Sequence, residues 1–414
     1  MSESRRNGLK NASGLLVCVI LALIGGCSTA VQNTAPPDAV EPMVPVISQA
    51  EQEKPIAATD EELAEEQAVE RRARLACARI TVAATGDIML GTDFPKNRLS
   101  DDDAESLLAD VAPVFRNAHI AFGNLEGVLM DGGEPVKKCK NPDACYLFRS
   151  PSRYAHRLSD AGFTVVSLAN NHARDFGEEG RTATMEALDA TGIRHSGRAG
   201  DIATWPNGEV KAALIAFAPF VNSHSMLDLD EAQLQVEMLA QTHDLVIASF
   251  HGGAEGIDAS RVPFASEYYY GEDRGDVVKF SRRMIEAGAD LVIGHGPHVP
   301  RGMELYRDRL AVYSLGNFAT YNGISVVGEK GYAPILVATV DGNGQFISGE
   351  IVSAIQIRPN GPRLDDEHRA YERIWELTVQ DFSGGGLKFQ YGGSFFPAGE
   401  SKKGCDDNPA QTEM

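Results

Sequence analysis

A chain of 414 residues with 43% hydrophobic content can bury one large or two ordinary cores, which excludes an intrinsically disordered protein. Its 58 acidic residues against 38 basic ones leave a formal charge of −20, which argues against a nucleic-acid partner.

The amino terminus carries Arg5, Arg6 and Lys10, then an apolar run from Gly14 to Gly26, then Cys27. Basic, apolar and small-residue regions in that order are the pattern of a secretory signal over residues 1–26. The apolar run falls short of the ~20 residues that span a bilayer. Leu23-Ile24-Gly25-Gly26-Cys27 resembles a bacterial lipobox, in which cleavage leaves a lipid-modified Cys27 at the new terminus. The expected location is therefore the bacterial cell envelope, as a membrane-anchored lipoprotein on its periplasmic or extracellular face. Cleavage would remove three basic residues and Glu3, moving the charge from −20 to about −22.

Residues 27–58 are rich in Pro, Ala, Val and Glu without a steady period and read as a flexible tether. Thr59 and Glu62 form a candidate capping box for a helix over 61–74, so residues 59–77 lead into the body. From 78 to 358 apolar runs alternate with helical stretches, as in βαβ units. Strands are expected over 79–85, 119–123, 163–168, 211–217, 244–250, 290–294, 310–315 and 335–340. Helices are expected over 102–115, 152–161, 177–191, 231–241 and 275–287. Asp341-Gly342-Asn343-Gly344 is a turn, and residues 345–356 alternate enough to be its hairpin partner. The stretch 359–414 reads as a C-terminal extension, partly disordered, with a helix over 364–379.

Besides Cys18 and Cys27 the sequence holds Cys77, Cys139, Cys145 and Cys405. An even number in an oxidising compartment suggests disulfides, with three connectivities open. Cys139 and Cys145 flank the turn-rich Lys140 to Ala144, so a local bridge there is the first choice.

The chemistry-bearing residues sit at strand ends. Asp87 lies between Gly86 and Gly91 after the first apolar run, and Glu126, His172, His251, His295 and His298 follow later runs, most of them beside glycine. Carboxylate and imidazole together suit one or two divalent ions such as Mn, Zn or Fe, and the lack of cysteine argues against a structural zinc knot. Asn171 can orient a phosphate or carbonyl, and His172 or His295 can carry a leaving-group proton. Arg149, Arg174 and Arg301 flank these loops, as receivers of anionic groups or as surface charges.

Taken in order, Gly86-Asp87-Ile88-Met89-Leu90-Gly91, Asn124-Leu125-Glu126-Gly127, Asn170-Asn171-His172 with Asp175 and Gly177, Gly294-His295-Gly296-Pro297-His298, and Tyr313 to Phe318 resemble the bacterial poly-gamma-glutamate capsule-synthesis family, CapA. The resemblance covers about residues 80–340. It implies a fold similar to calcineurin-like metallophosphoesterases, an α/β protein with a four-layer αββα sandwich. It implies Asp87 in the first metal motif, Glu126 as the bridging acid, Asn171 and His172 in an Asn-His motif, His251 in the fourth, and His295 with His298 as the closing pair. Met89 stands where that superfamily places a histidine. The implied role is making or exporting an anionic envelope polymer such as poly-gamma-glutamate, beside membrane synthase subunits, with a metal-dependent hydrolase site. Two other readings stay open: a non-catalytic polymer-binding or scaffold subunit, and a metal-dependent phosphodiesterase unrelated to capsule.

Overall fold

The computed structural model describes residues 60–137 and 146–399, so the signal, Cys27, the tether, Cys139 and Cys145 lie outside the described residues. Residues from Ala58 onward belong to one unit. Among the described residues no helix is long and apolar enough to cross a membrane.

The central strand is Ile80–Met89, buried along almost its whole length. Its run Ile80 to Ala84 is β-branched or small, as a strand covered on both faces requires. It pairs in parallel with Ile120–Leu125 on one side and antiparallel with Ile335–Val340 on the other. Val165–Ser167 and Arg194–Ser196 extend the sheet beyond Ile120–Leu125, and Phe346–Val352, Ser394–Pro397 and Leu387–Phe389 extend it beyond Ile335–Val340. A second sheet runs in the order Met303–Tyr306, Arg309–Val312, Leu291–His295, Leu245–His251, Val210–Ala218, Ala203–Asn207.

Alternation along these strands decides the layering. Val82, Ala84, Ile120 and Phe122 from the first sheet meet Leu214, Ala216, Ile247, Ile293 and Val312 from the second in one buried cluster. Their neighbours Ala83, Ala121 and Val166 point the opposite way, onto Phe115, Tyr154, Leu158 and Leu188 of the helices on the outer face. Likewise Ala213, Ile215, Ala248 and Val292 face Val236, Phe280 and Met284 of helices Leu229–Ala240 and Val277–Glu286. Helices, sheet, sheet and helices make the four-layer αββα sandwich. Each large apolar side chain buried between layers contributes about 1.5–3 kcal/mol.

Two elements differ from the expectation. The helix over 102–115 is only Ala112–Arg116, because Asp103 and Ala104 take left-handed backbone angles and Pro113 starts a new turn. Residues 359–397 are built into the body: helix Arg369–Phe382 packs on both sheets, and Ser394–Pro397 pairs with Phe346–Val352. Thr378 Oγ1 on the helix accepts from the amide of Met303 in one sheet, and the helix's Tyr371 amide donates to Ser353 Oγ beside the other.

Cys77, the one cysteine among the described residues, is disulfide-bonded.

Candidate metal centre

The site forms where the sheets present their carboxyl ends to each other, the edge at which α/β sheets bind ligands. Register places the donors: Asp87 lies opposite Asn124 and Asn317 in the first sheet, and His251 opposite His295 in the second. The Ile80–Met89 strand changes register at Asp87, a bulge of the kind that re-aims a side chain beside a functional site. Close approach enforces the position. The Asp87 amide donates to the Gly316 carbonyl at 2.9 Å, and a Cβ on Gly86 would lie 1.9 Å from that oxygen.

Asp87, Glu126 and His298 offer ligand atoms that all lie within 4.8 Å of one another. The Nδ1 of His298 donates to Asp87 Oδ2 at 3.0 Å and lies 3.9 Å from Glu126 Oε2. It also meets Asn317 Oδ1 at 3.0 Å, while its Nε2 faces Glu255 Oε2 at 3.6 Å. His295 is fully buried with Nδ1 3.7 Å from Asp87 Oδ1. The Nε2 of His172 is 4.0 Å from Glu126 Oε1, and its Nδ1 bonds Asp175 Oδ2 at 2.7 Å. His251 is linked through Asn124, whose Nδ2 lies 3.3 Å from its Nδ1. Asp87, Glu126 and His298 thus share one small pocket, with His295, His172 and, through Asn124, His251 around it.

Burial pushes the Asp87 carboxyl up, but the hydrogen bond and charge of His298, with His251 and His295 behind, override it and hold Asp87 low. Glu126 is raised by burial and by the Asp87 charge. Burial opposes the charge on His298, yet Glu126, Asp87 and Glu255 together raise it to about 10. His295 is lowered to about 4 by burial, with Asp87 opposing, and His251 and His172 are also lowered by burial.

The pocket fits a cation on the chemistry of its own donors. Among the described residues neither oxygen of the fully buried Glu126 has a hydrogen-bond partner, nor does His251 Nε2 or either ring nitrogen of His295. Leaving such groups bare costs about 1–3 kcal/mol each, and a divalent ion would satisfy several at once. Mixed carboxylate and imidazole donors suit Mn, Zn or Fe.

Asn171 is not joined to this network through its side chain, whose oxygen is buried without a partner. Its neighbour Asn170 does the joining: Nδ2 donates to Asn124 Oδ1 at 3.1 Å and to the Leu125 carbonyl at 2.8 Å, and Oδ1 accepts from the His172 amide. Asn124 and Asp175 are the residues whose site contacts sequence reasoning passed over. The signal that could have found them was position, since Asn124 ends a buried strand beside Asp87 and Asp175 follows His172 by three. The arginines are engaged elsewhere: Arg149 with Asp93, Arg174 with Glu178, and the buried Arg301 with Glu267.

Fold and pocket together define a four-layer α/β protein with a buried carboxylate–imidazole centre. The profile described as "Bacterial capsule synthesis protein PGA_cap" matches residues 81–322, and the chain belongs to that family. It is 27% identical over 266 residues to "PGA biosynthesis protein CapA" of Bacillus subtilis (strain 168), covering 59% of this chain and 64% of that protein. It is 24% identical over 322 residues to "Capsule biosynthesis protein CapA" of Bacillus anthracis, covering 75% of each. Among solved structures, a 5'-nucleotidase precursor from Thermus thermophilus aligns with a TM-score of 0.38 and 13% identity, over 74% of this chain and 59% of that one.

Proposed function

We propose that this protein serves the making or export of an anionic envelope polymer of the poly-gamma-glutamate type, as a metal-dependent hydrolase tethered to the membrane through Cys27. The observation that carries the hydrolase part is the unpartnered Glu126 carboxylate, facing Asp87 and His298 inside a ring of buried imidazoles. The names of the Bacillus relatives support the capsule part. The lipobox-like ending supports the anchor, and the Cys77 disulfide supports an oxidising compartment.

Asp87, Glu126 and His298 would hold the ion, with His295 and His251 beside it. A divalent ion held there would lower the pKa of an attacking water and would clamp a developing oxyanion electrostatically. Asp175 accepts the Nδ1 proton of His172, which leaves Nε2 with its lone pair toward Glu126 and the cleft. His172 is neutral at pH 7, since burial lowers it, so Nε2 takes a proton from the attacking group and returns it to the leaving group. Lys137 Nζ pairs with the other carboxylate oxygen of Asp175 at 3.0 Å. The Phe148 ring packs against the His172 ring, centroids 4.2 Å apart and planes tilted by 30°, and limits its rotation.

Elemental analysis with divalent-metal titration tests this reading. Bound Mn, Zn or Fe, lost in Asp87→Ala, supports it, and a folded chain that takes up no metal near neutral pH overturns it. A second reading, a non-catalytic polymer-binding subunit, draws on Met89, a thioether at the superfamily's histidine position. Complementation separates the two: a scaffold still restores surface polymer when Asp87 and His295 are both alanine, and a hydrolase does not.

A further inference from the structure

We propose that Asn124 restricts this centre to a single divalent ion. The inference rests on the metal reading above and concerns how many ions the pocket takes.

The donors fall into two groups. Asp87, Glu126 and His298 form the first. His251 and His295, side by side at the ends of their strands, form the second. Asn124, fully buried, stands between them. Its Nδ2 donates to Asp87 Oδ1 at 2.8 Å and points at His251 Nδ1 at 3.3 Å. The amide cannot turn over freely, because Asn170 donates to its Oδ1 at 3.1 Å and is itself held by the Leu125 carbonyl and the His172 amide.

Two divalent ions sharing a site sit about 3.5–4 Å apart and need an anionic bridge to offset their repulsion. Asn124 is neutral, and its Nδ2 group covers Asp87 Oδ1 and sits against His251 Nδ1, which leaves Nε2 as the open nitrogen of that ring. Met89 does not compensate. It is buried, and its thioether end packs toward Gly323, where an added Cβ would lie 2.0 Å from its Cε. The carboxylate oxygen turned toward His295 is Asp87 Oδ1, at 3.7 Å, and Asn124 already binds it.

The test counts ions. The full chain and Asn124→Asp are stripped with chelator, loaded with excess Mn2+, desalted, and assayed by elemental analysis, circular dichroism and electron paramagnetic resonance. The expected result is one Mn per wild-type chain with the six-line signal of an isolated ion, and two per Asn124→Asp chain with an exchange-coupled signal. Two ions in the wild type overturn the inference and leave the metal reading standing. One ion in a folded Asn124→Asp chain also overturns it. No ion in the wild type removes the metal reading itself. If Asn124→Asp does not fold, the wild-type spectrum decides alone, an isolated ion supporting the inference and a coupled pair overturning it.

Discussion

Asp87 is the residue on which the pocket's charges balance. Replacing it with alanine leaves His298 charged and without its carboxylate acceptor, and removing one partner of a buried pair costs about 3–5 kcal/mol. We expect Asp87→Ala to lower the unfolding free energy in urea by that amount and to abolish metal uptake, whereas Asp87→Asn should keep most of the stability and lose the metal. His295 gives a pH signature. Its folded pKa, about 4, lies below the unfolded value near 6.5, so the unfolded chain binds the extra proton first as pH falls. Its contribution is full above 6.5 and is lost as pH falls through 4. Relative to His295→Gln, the metal-free wild type should lose about 3 kcal/mol between pH 6.5 and 4, read from denaturant curves at each pH. A difference that does not change across that window would show that His295 is not buried in its neutral form.

At the scale of elements, glycines let strand ends meet. Gly296 has φ +120°, and a Cβ there would lie 2.6 Å from the Gly252 carbonyl, which belongs to the loop after His251. Gly296→Ala should therefore destabilise by about 1–3 kcal/mol and weaken metal binding by parting His251 from His295. Unchanged metal affinity by calorimetry would show that the two strand ends need not touch. The same elements show what the sequence made legible. Asp87, Glu126, His251 and His295 could be read because an apolar run, a polar residue and a glycine mark a buried strand arriving at an open edge. Asn170 could not, since its role comes from contacts to Asn124 and Leu125 on a strand distant in the chain. The helix over 102–115 failed because its composition favours helix while Asp103 and Ala104 adopt left-handed turns that propensity does not register. The short strands beyond Gly386 failed for the opposite reason, as glycine-rich sequence hides pairing that only the neighbouring Phe346–Val352 edge makes favourable.

For the whole molecule, a net charge of −20 coexists with a pocket whose donors suit a cation, and such a surface field would gather divalent ions toward them. Metal at a hundredfold excess over its Kd should add about 2.7 kcal/mol to stability, seen as a chelator-reversible shift of the unfolding midpoint. No shift would mean that the ion binds the unfolded chain equally well. The anchor is tested by fractionation: Cys27→Ser should move the protein from detergent-extracted membranes to the soluble envelope fraction, and wild-type protein already soluble would sink the tether.

The helix Arg369–Phe382 touches both sheets, and the central Ile80 strand waits for a neighbour from residues 335–340. A ribosome or a secretion channel delivers the chain from its amino end, so the sheets' first strands emerge long before the pieces that clasp them. The polypeptide must stay unfinished, and therefore threadable and sensitive to protease, until nearly its last quarter has appeared. Assembly of the pocket is a terminal event in the life of the nascent chain.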